Sequence, residues 1–266
     1  MRLLKLSFMD GTGFRYCMNI NKYTAKLLKA LELALDPRGL QALLTWPKFS
    51  LTSYHMLSAL RCQGMRFSTL IDVGASVGQF TVAAAKLFPG AAIHAFEPLP
   101  DSMARLKHHT RTLPGIQVYP LALGEQPGKA TLHVNTYSLS SSLLPLGAAH
   151  RSFFPEARES NAITIEVSTL DAIFNKVELA SPVLLKLDVQ GYETKVLAGG
   201  TEILRRVDHV ILETSFKPLY EGERLFMEIA WLMKGYGFRF LRPVGWLTAP
   251  ETGEVLQMDA LFEREH

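Results

Sequence analysis

Between residues 70 and 80 the chain reads Leu70-Ile-Asp72-Val-Gly74-Ala75-Ser-Val-Gly78-Gln-Phe80, a pattern that few folds accommodate. Leu70 to Val73 is short and rich in apolar and β-branched residues, which suits a strand buried on both faces of a parallel sheet. Gly74 ends it, because glycine accepts backbone angles closed to other residues, and Gly78 lets the following helix approach strand and ligand closely. That helix is expected over Val77 to Phe88, its N-terminal amides directed into the crevice at the strand ends. Ile93 to Phe96 reads as a second buried strand. Glu97-Pro98 stands at its C-terminal end, about 20 to 25 residues after the glycine loop, where an acidic residue can accept the hydroxyls of a ribose.

The glycine spacing separates two ligand classes. A dinucleotide fingerprint needs Gly-x-Gly-x-x-Gly so that backbone can reach a pyrophosphate. Here the second glycine position is Ser76, and Asp72 adds a negative charge that repels phosphate. Asp72 instead suits the ammonium of an amino-acid moiety, with Glu97 on the ribose. S-adenosylmethionine carries both groups and no phosphate, so it is the expected cofactor, with S-adenosylhomocysteine as product and NAD(P) as the lesser alternative. The bland readings of the two acids are a turn cap for Asp72 and a solvated strand end for Glu97.

From residue 69 onward strand and helix alternate, as an α/β doubly wound sheet requires. A helix is expected over Asp101 to Thr112, a third strand over Ile116 to Leu123, and inserted strands over Lys129 to Asn135 and Ile163 to Val167. Val183 to Asp188 is the fourth main strand, Tyr192 to Arg206 a helix, and His209 to Glu213 the fifth strand. Arg224 to Gly235 is a further helix, and Phe238 to Leu241 with Leu256 to Phe262 makes a terminal antiparallel pair. The loop from Thr136 to Ser160 exceeds the ~12 to 15 residues usual for structureless connections and is read as a lid.

Charge is uneven: residues 1–68 hold 10 Lys and Arg against 3 Asp and Glu, the remainder 18 against 22. We therefore read residues 1–66 as a basic extension and 67–266 as the cofactor-binding domain. The extension opens with alternating Leu4, Leu6 and Phe8 before Asp10-Gly11, a hairpin signal. A helix carrying Leu27, Leu28, Leu31 and Leu35 on one face is expected to end at Asp36-Pro37-Arg38-Gly39, and another to cover residues 51–62. These elements are expected to cover the sheet or the cleft, or to support a homodimer. No apolar run reaches the ~18 residues of a membrane span, and Lys5 interrupts the early apolar stretch, so a cytoplasmic location is expected. Cys17 and Cys62 have no metal-ligand spacing.

A second constellation, Lys186-Leu-Asp188-Val-Gln190-Gly191-Tyr192-Glu193, ends the fourth strand, so Asp188 is expected beside Asp72 and Glu97 in the crevice. Lys186 shares the strand face of Asp188. An unpaired buried lysine is costly, so it is either functional or ion-paired with Asp188 or Glu213. Glu193 suits the first turn of a helix.

These motifs, together with Ala122-Leu123-Gly124, Ser140 to Leu143, Ser168 to Asp171, Val196 to Gly199 and Gln257 to Phe262, resemble the FkbM family of S-adenosylmethionine-dependent methyltransferases over about residues 50–266. The resemblance implies a class I, Rossmann-like methyltransferase fold with a seven-stranded, mostly parallel sheet and an antiparallel last strand. It also implies O-methylation of a sugar, glycan or natural-product hydroxyl. Gln190 departs from the Glu that many members carry. On the cofactor side the candidates are Asp72, Gly74, Ala75, Gly78, Glu97 and Pro98. Ala122 and Leu123 would flank the adenine, and Ser141 and Ser142 would close over the site. Asp188 is the first candidate for general base. Lys186 would orient it or lower the hydroxyl pKa, with Glu213 and His150 as lesser candidates. A divalent cation held by Asp188 and Glu213 is an alternative, although no metal motif is present.

Two other functions are weighed. The basic extension raises RNA or DNA methylation, but the fourth strand lacks the Asn/Asp-Pro-Pro-aromatic turn that grips a base amine, and no aromatic-interleaved basic tract appears. The other is an interaction protein that binds cofactor without turnover.

Overall fold

The computed structural model of the chain describes residues 4–9, 15–20, 33, 35–135, 142–147, 159–249 and 252–265. Strands β1 (Leu4–Met9) and β2 (Arg15–Ile20) pair antiparallel, Leu4 opposite Ile20 and Met9 opposite Arg15, as a hairpin would. The expected helix around Leu27, Leu28 and Leu31 lies outside the described residues. Asp36-Pro37 begins a helix instead of only ending one. The Asp36 side chain accepts from the Arg38 amide at 3.0 Å, and Pro37 opens α1 (Pro37–Thr45), where its missing N–H costs nothing. Ser50 caps α2 (Leu51–Cys62) in the same way.

The main sheet is built on β3 (Thr69–Val73), all five residues of which are buried. It is followed by α3 (Gln79–Leu87), β4 (Ala92–Phe96), α4 (Pro100–Thr110) and β5 (Ile116–Tyr119). Further on come β6 (Ala122–Leu123), β7 (Gly128–Asn135), β8 (Glu159–Ser168), α5 (Leu170–Phe174) and β9 (Val183–Leu187). The chain ends with α6 (Glu193–Ala198), α7 (Thr201–Leu204), β10 (His209–Ser215), α8 (Phe226–Gly235), β11 (Phe238–Thr248) and β12 (Val255–Arg264). Among the described residues the main sheet has seven strands in the order β11-β12-β10-β9-β3-β4-β5. β10, β9, β3, β4 and β5 run parallel, and β12 is antiparallel to both neighbours.

Alternation along each strand divides the core in two. Ile71, Val73, Leu185, Leu187, Val210 and Leu212 join one apolar cluster, while Leu70, Ile93, Leu184 and Ile211 join another with Phe80 of α3 and with Met56, Leu57 and Leu60 of α2.

Two expected elements are divided. The third strand stops at Tyr119, because Pro120 cannot donate to a ladder, and Ala122-Leu123 instead pairs with β8 in a separate three-stranded sheet, β6-β8-β7. The helix expected over Tyr192 to Arg206 breaks at Gly199-Gly200 into α6 and α7. A Cβ on Gly199 would lie 2.0 Å from the Gly124 carbonyl oxygen, so only glycine admits this contact. Of the expected lid, residues 142–147 are described and form a strap: Ser142 bridges to His133, and the Gly147 amide donates to the Leu219 carbonyl at 2.8 Å.

Candidate active site

The C-terminal ends of β3, β4 and β9 surround a narrow cleft of about 100 Å³. The β3–α3 turn forms its floor. Gly74 has φ +83°, and a Cβ there would meet the Asp188 carbonyl oxygen at 1.9 Å, so the loops after β3 and β9 touch backbone to backbone. Gly78, at φ +94°, caps α3, which therefore begins two residues later than the expected Val77. The Gly74 and Ala75 amides both donate to the Phe96 carbonyl, tying the turn to the end of β4.

Glu97 lines the cleft. One of its oxygens accepts from the Ser76 amide and the other from the Leu99 amide, both at 2.8 Å. Burial pushes its pKa up to about 7, against the pull of the two amides. Each oxygen keeps a free lone pair for a hydroxyl. The Ser76 hydroxyl, also in the cleft wall, is buried with no hydrogen-bond partner. Pro98, Ala122 and Leu123 line the cleft together with Ser142, giving an apolar wall beside the acid. A nucleoside with a ribose and a polar tail fits this set, since Glu97 and Ser76 offer unfilled hydrogen-bonding capacity beside apolar surface.

Asp72 is turned inward rather than toward the cleft. It is fully buried, accepts from the Thr81 hydroxyl at 2.6 Å, and has the Lys186 ammonium 3.7 Å from its other oxygen. That second oxygen has no hydrogen-bond partner. Burial raises its pKa, and Lys186 opposes the shift. Lys186 is the buried ion-pair residue that strand-face reasoning allows. Its ammonium donates to Asp188 at 3.0 Å and sits 5.3 Å from the Phe80 ring centroid. Burial works against its charge, but Asp188, Asp72 and Asp259 outweigh it and hold the ammonium protonated.

The Asp188 carboxylate stands in the cleft wall with about a third of its side chain exposed. Gln190 holds its second oxygen, donating to it at 2.7 Å and to Glu213 at 2.8 Å. The Tyr220 hydroxyl donates to the Gln190 side-chain oxygen, and the Ser142 hydroxyl to the Gln190 main-chain carbonyl at 2.6 Å. Gln190 holds this place in the left-handed region, at φ +57°. Glu213 lies behind this network; burial, then Asp188, Asp259 and Glu193, raise its pKa well above the carboxylate range. Glu193 accepts from the Val189 and Gly191 amides and so fixes the same loop, its pKa pushed up by burial to about 8. Asp259, opposite Glu213 on β12, is pushed up to about 6 by burial.

Sequence reasoning missed the parts played by Gln190, Tyr220 and Asp259. Only the position of Gln190 beside Gly191 hinted at an unusual backbone. His150 and Ser141 lie outside the described residues. Among the described residues, no group of three or more His, Cys, Asp or Glu is placed to hold a metal ion, and no helix is long and apolar enough to cross a membrane.

The methyltransferase FkbM domain matches residues 72–240, from the first acid of the glycine loop into β11. The 2-O-methyltransferase NoeI of Sinorhizobium fredii is 29% identical over 161 residues, covering 58% of this chain and 66% of that protein. The hexuronic acid methyltransferase AglP of Haloferax volcanii is 29% identical over 144 residues, covering 54% of each chain. The 31-O-demethyl-FK506 methyltransferase FkbM of Streptomyces tacrolimicus is 26% identical over 192 residues, covering 64% and 72%. The chain thus spans between about half and two thirds of the length of the first two of these relatives. Among solved structures, a putative RNA methyltransferase from Pyrococcus horikoshii aligns with a TM-score of 0.43 and 14% identity, over 80% of this chain and 82% of that one. With more than half of its length matched by the domain, the chain belongs to the FkbM methyltransferase family.

Proposed function

We propose that this protein is an S-adenosylmethionine-dependent O-methyltransferase acting on a hydroxyl of a sugar, glycan or natural product. The observation that carries the reading is the Asp188 carboxylate, held by Lys186 and Gln190 and still open to the cleft that Glu97 lines. S-adenosylmethionine, when bound, supplies an activated methyl group. Glu97 accepts the ribose hydroxyls, Ser76 offers its unpaired hydroxyl, and Ala122, Leu123 and Pro98 cover the adenine. Asp72 acts from behind, fixing α3 through Thr81 and charging Lys186.

An acceptor hydroxyl becomes a competent nucleophile as its proton leaves, and Asp188 takes that proton. Lys186 and Gln190 each occupy one of its oxygens, so the carboxylate presents a fixed lone pair rather than rotating freely. Glu213 accepts from the Gln190 amide and acts as a positioning group for it. Ser142, on the strap, lines the cleft and anchors the loop after β9 through the Gln190 main-chain carbonyl. Two matched relatives named for 2-O and hexuronic acid methylation favour a sugar acceptor.

Calorimetric titration with S-adenosylhomocysteine, followed by methylation assays on a panel of hydroxylated sugars and polyketides, tests the proposal. Micromolar cofactor binding with a methylated product supports it. Cofactor binding with no product from any acceptor would favour the interaction-protein reading, and no binding at all would overturn both.

A further inference from the structure

On α1 the residues Arg38, Gln41 and Thr45 line a groove of about 630 Å³, roomier than the cleft, while Leu40, Leu43 and Leu44 face outward and are exposed. The helix thus leaves these leucines uncovered, and its Arg38, with Arg61, Arg66 and Lys86, stays solvent-exposed along the groove. Opposite, α2 presents Tyr54, Ser58 and Arg61, one face at successive turns. Arg66 and Lys86 complete the wall.

The groove therefore holds four cationic side chains against a single carboxylate, that of Asp36. Asp36 is already engaged: it caps α1 and accepts from the Tyr54 hydroxyl at 2.5 Å. Among the described residues none of the four cations forms an ion pair; Arg66 donates only to the Arg61 and Met65 carbonyls. Trp46, half-buried and packed edge-on against Tyr54 at 5.7 Å, adds a planar aromatic edge. The groove shares no residue with the cleft. Lys86 and Leu87 end α3, whose other end points into the cleft, so about 13 Å of helix separates the two.

We propose that this groove is a second binding site, for an organic phosphate of the size of a nucleoside diphosphate. Unpaired arginines in a concave wall favour phosphate, which they bind through paired N–H donors, and Trp46 offers a surface to a ring. A single inorganic ion would leave most of the space empty. The reading is independent of methyl transfer.

The test is calorimetric titration of the full chain with uridine diphosphate and with inorganic pyrophosphate, at low and high salt, with sedimentation on vesicles containing phosphatidylglycerol as a separate arm. Arg61→Glu/Lys86→Glu is compared with the wild type, and Lys86→Ala serves as a milder variant; S-adenosylhomocysteine binding and the melting curve check that each is folded. Binding of either soluble phosphate, weakened at least tenfold in the double variant with cofactor affinity unchanged, supports a site for a soluble ligand. Vesicle binding with the same sensitivity supports a phosphate-bearing headgroup as the source. Equal affinity in wild type and variant, or no binding in any arm at low salt, overturns the proposal. Binding of single-stranded RNA that uridine diphosphate does not displace would overturn it in favour of a nucleic-acid surface.

Discussion

Lys186→Met offers the sharpest test of the site's electrostatics. Methionine preserves much of the volume of the side chain but removes the cation lying 3.0 Å from Asp188 and 3.7 Å from Asp72. Asp188 can turn to solvent, whereas Asp72 is wholly buried and would keep only its hydrogen bond from Thr81. Removing one partner of a buried ion pair costs about 3 to 5 kcal/mol, because the other charge is stranded. With a urea m-value of about 3 kcal/mol per molar, the unfolding midpoint falls by between about 1 and 1.7 M. The loss should depend on pH. Burial already raises the folded-state pKa of Asp72, and without Lys186 it rises further. A carboxyl whose folded pKa exceeds its unfolded one is neutral in both states at low pH and is penalised once it must ionise in the fold. The variant should therefore approach wild-type stability near pH 4 and lose it as pH rises through the raised pKa. Adding Asp72→Asn should recover a substantial part of the deficit at pH 8. Urea melts of the four proteins of this cycle at pH 4.5 and 8 decide the matter. A deficit under about 1 kcal/mol, a deficit independent of pH, or no rescue by the second change would refute the stranded-charge argument.

Asp188→Asn should leave S-adenosylhomocysteine affinity within about twofold and lower turnover by at least ~100-fold; equal turnover would remove Asp188 as the base. Because Glu97 titrates near 7 and accepts best when ionised, S-adenosylhomocysteine affinity should strengthen from pH 6 to pH 8. Calorimetry should find that dependence gone in Glu97→Gln. Gly74→Ala drives a methyl into the Asp188 carbonyl at a left-handed position, so cofactor affinity should drop at least tenfold and the melting temperature fall, read by titration and calorimetric scan.

The parallel strands were legible because β3 and β9 are apolar runs buried along their whole length, and Glu97 because its place follows from strand and helix lengths. The orientation of Asp72 was not. Its rotamer is chosen by Thr81, one helix turn into α3, and by Lys186, a strand away. Gln190 looked like the loss of a charge, yet its amide joins Asp188 to Glu213 and takes a proton donor from Tyr220, thirty residues on. Such a network has no periodicity to betray it. The break at Pro120 was written in the residue itself but outvoted by an apolar run continuing to Leu123. The helix α1 hid behind Asp36-Pro37, a pair that ends one helix and starts another equally well.

Gly199 touches no ligand, yet it acts as a spacer for the pocket. Its bare Cα lets the end of α6 rest against the Gly124 carbonyl, directly after the Ala122-Leu123 segment that walls the cleft. Any side chain there has to push that wall or the helix, and α6 begins with the glutamate that grips the Asp188 loop. The width of the cleft beside Ala122-Leu123 and the aim of the Asp188 carboxylate, the proposed base, are thus gauged by one contact remote from both, so a larger residue at position 199 is expected to disturb the proposed chemistry from outside the pocket.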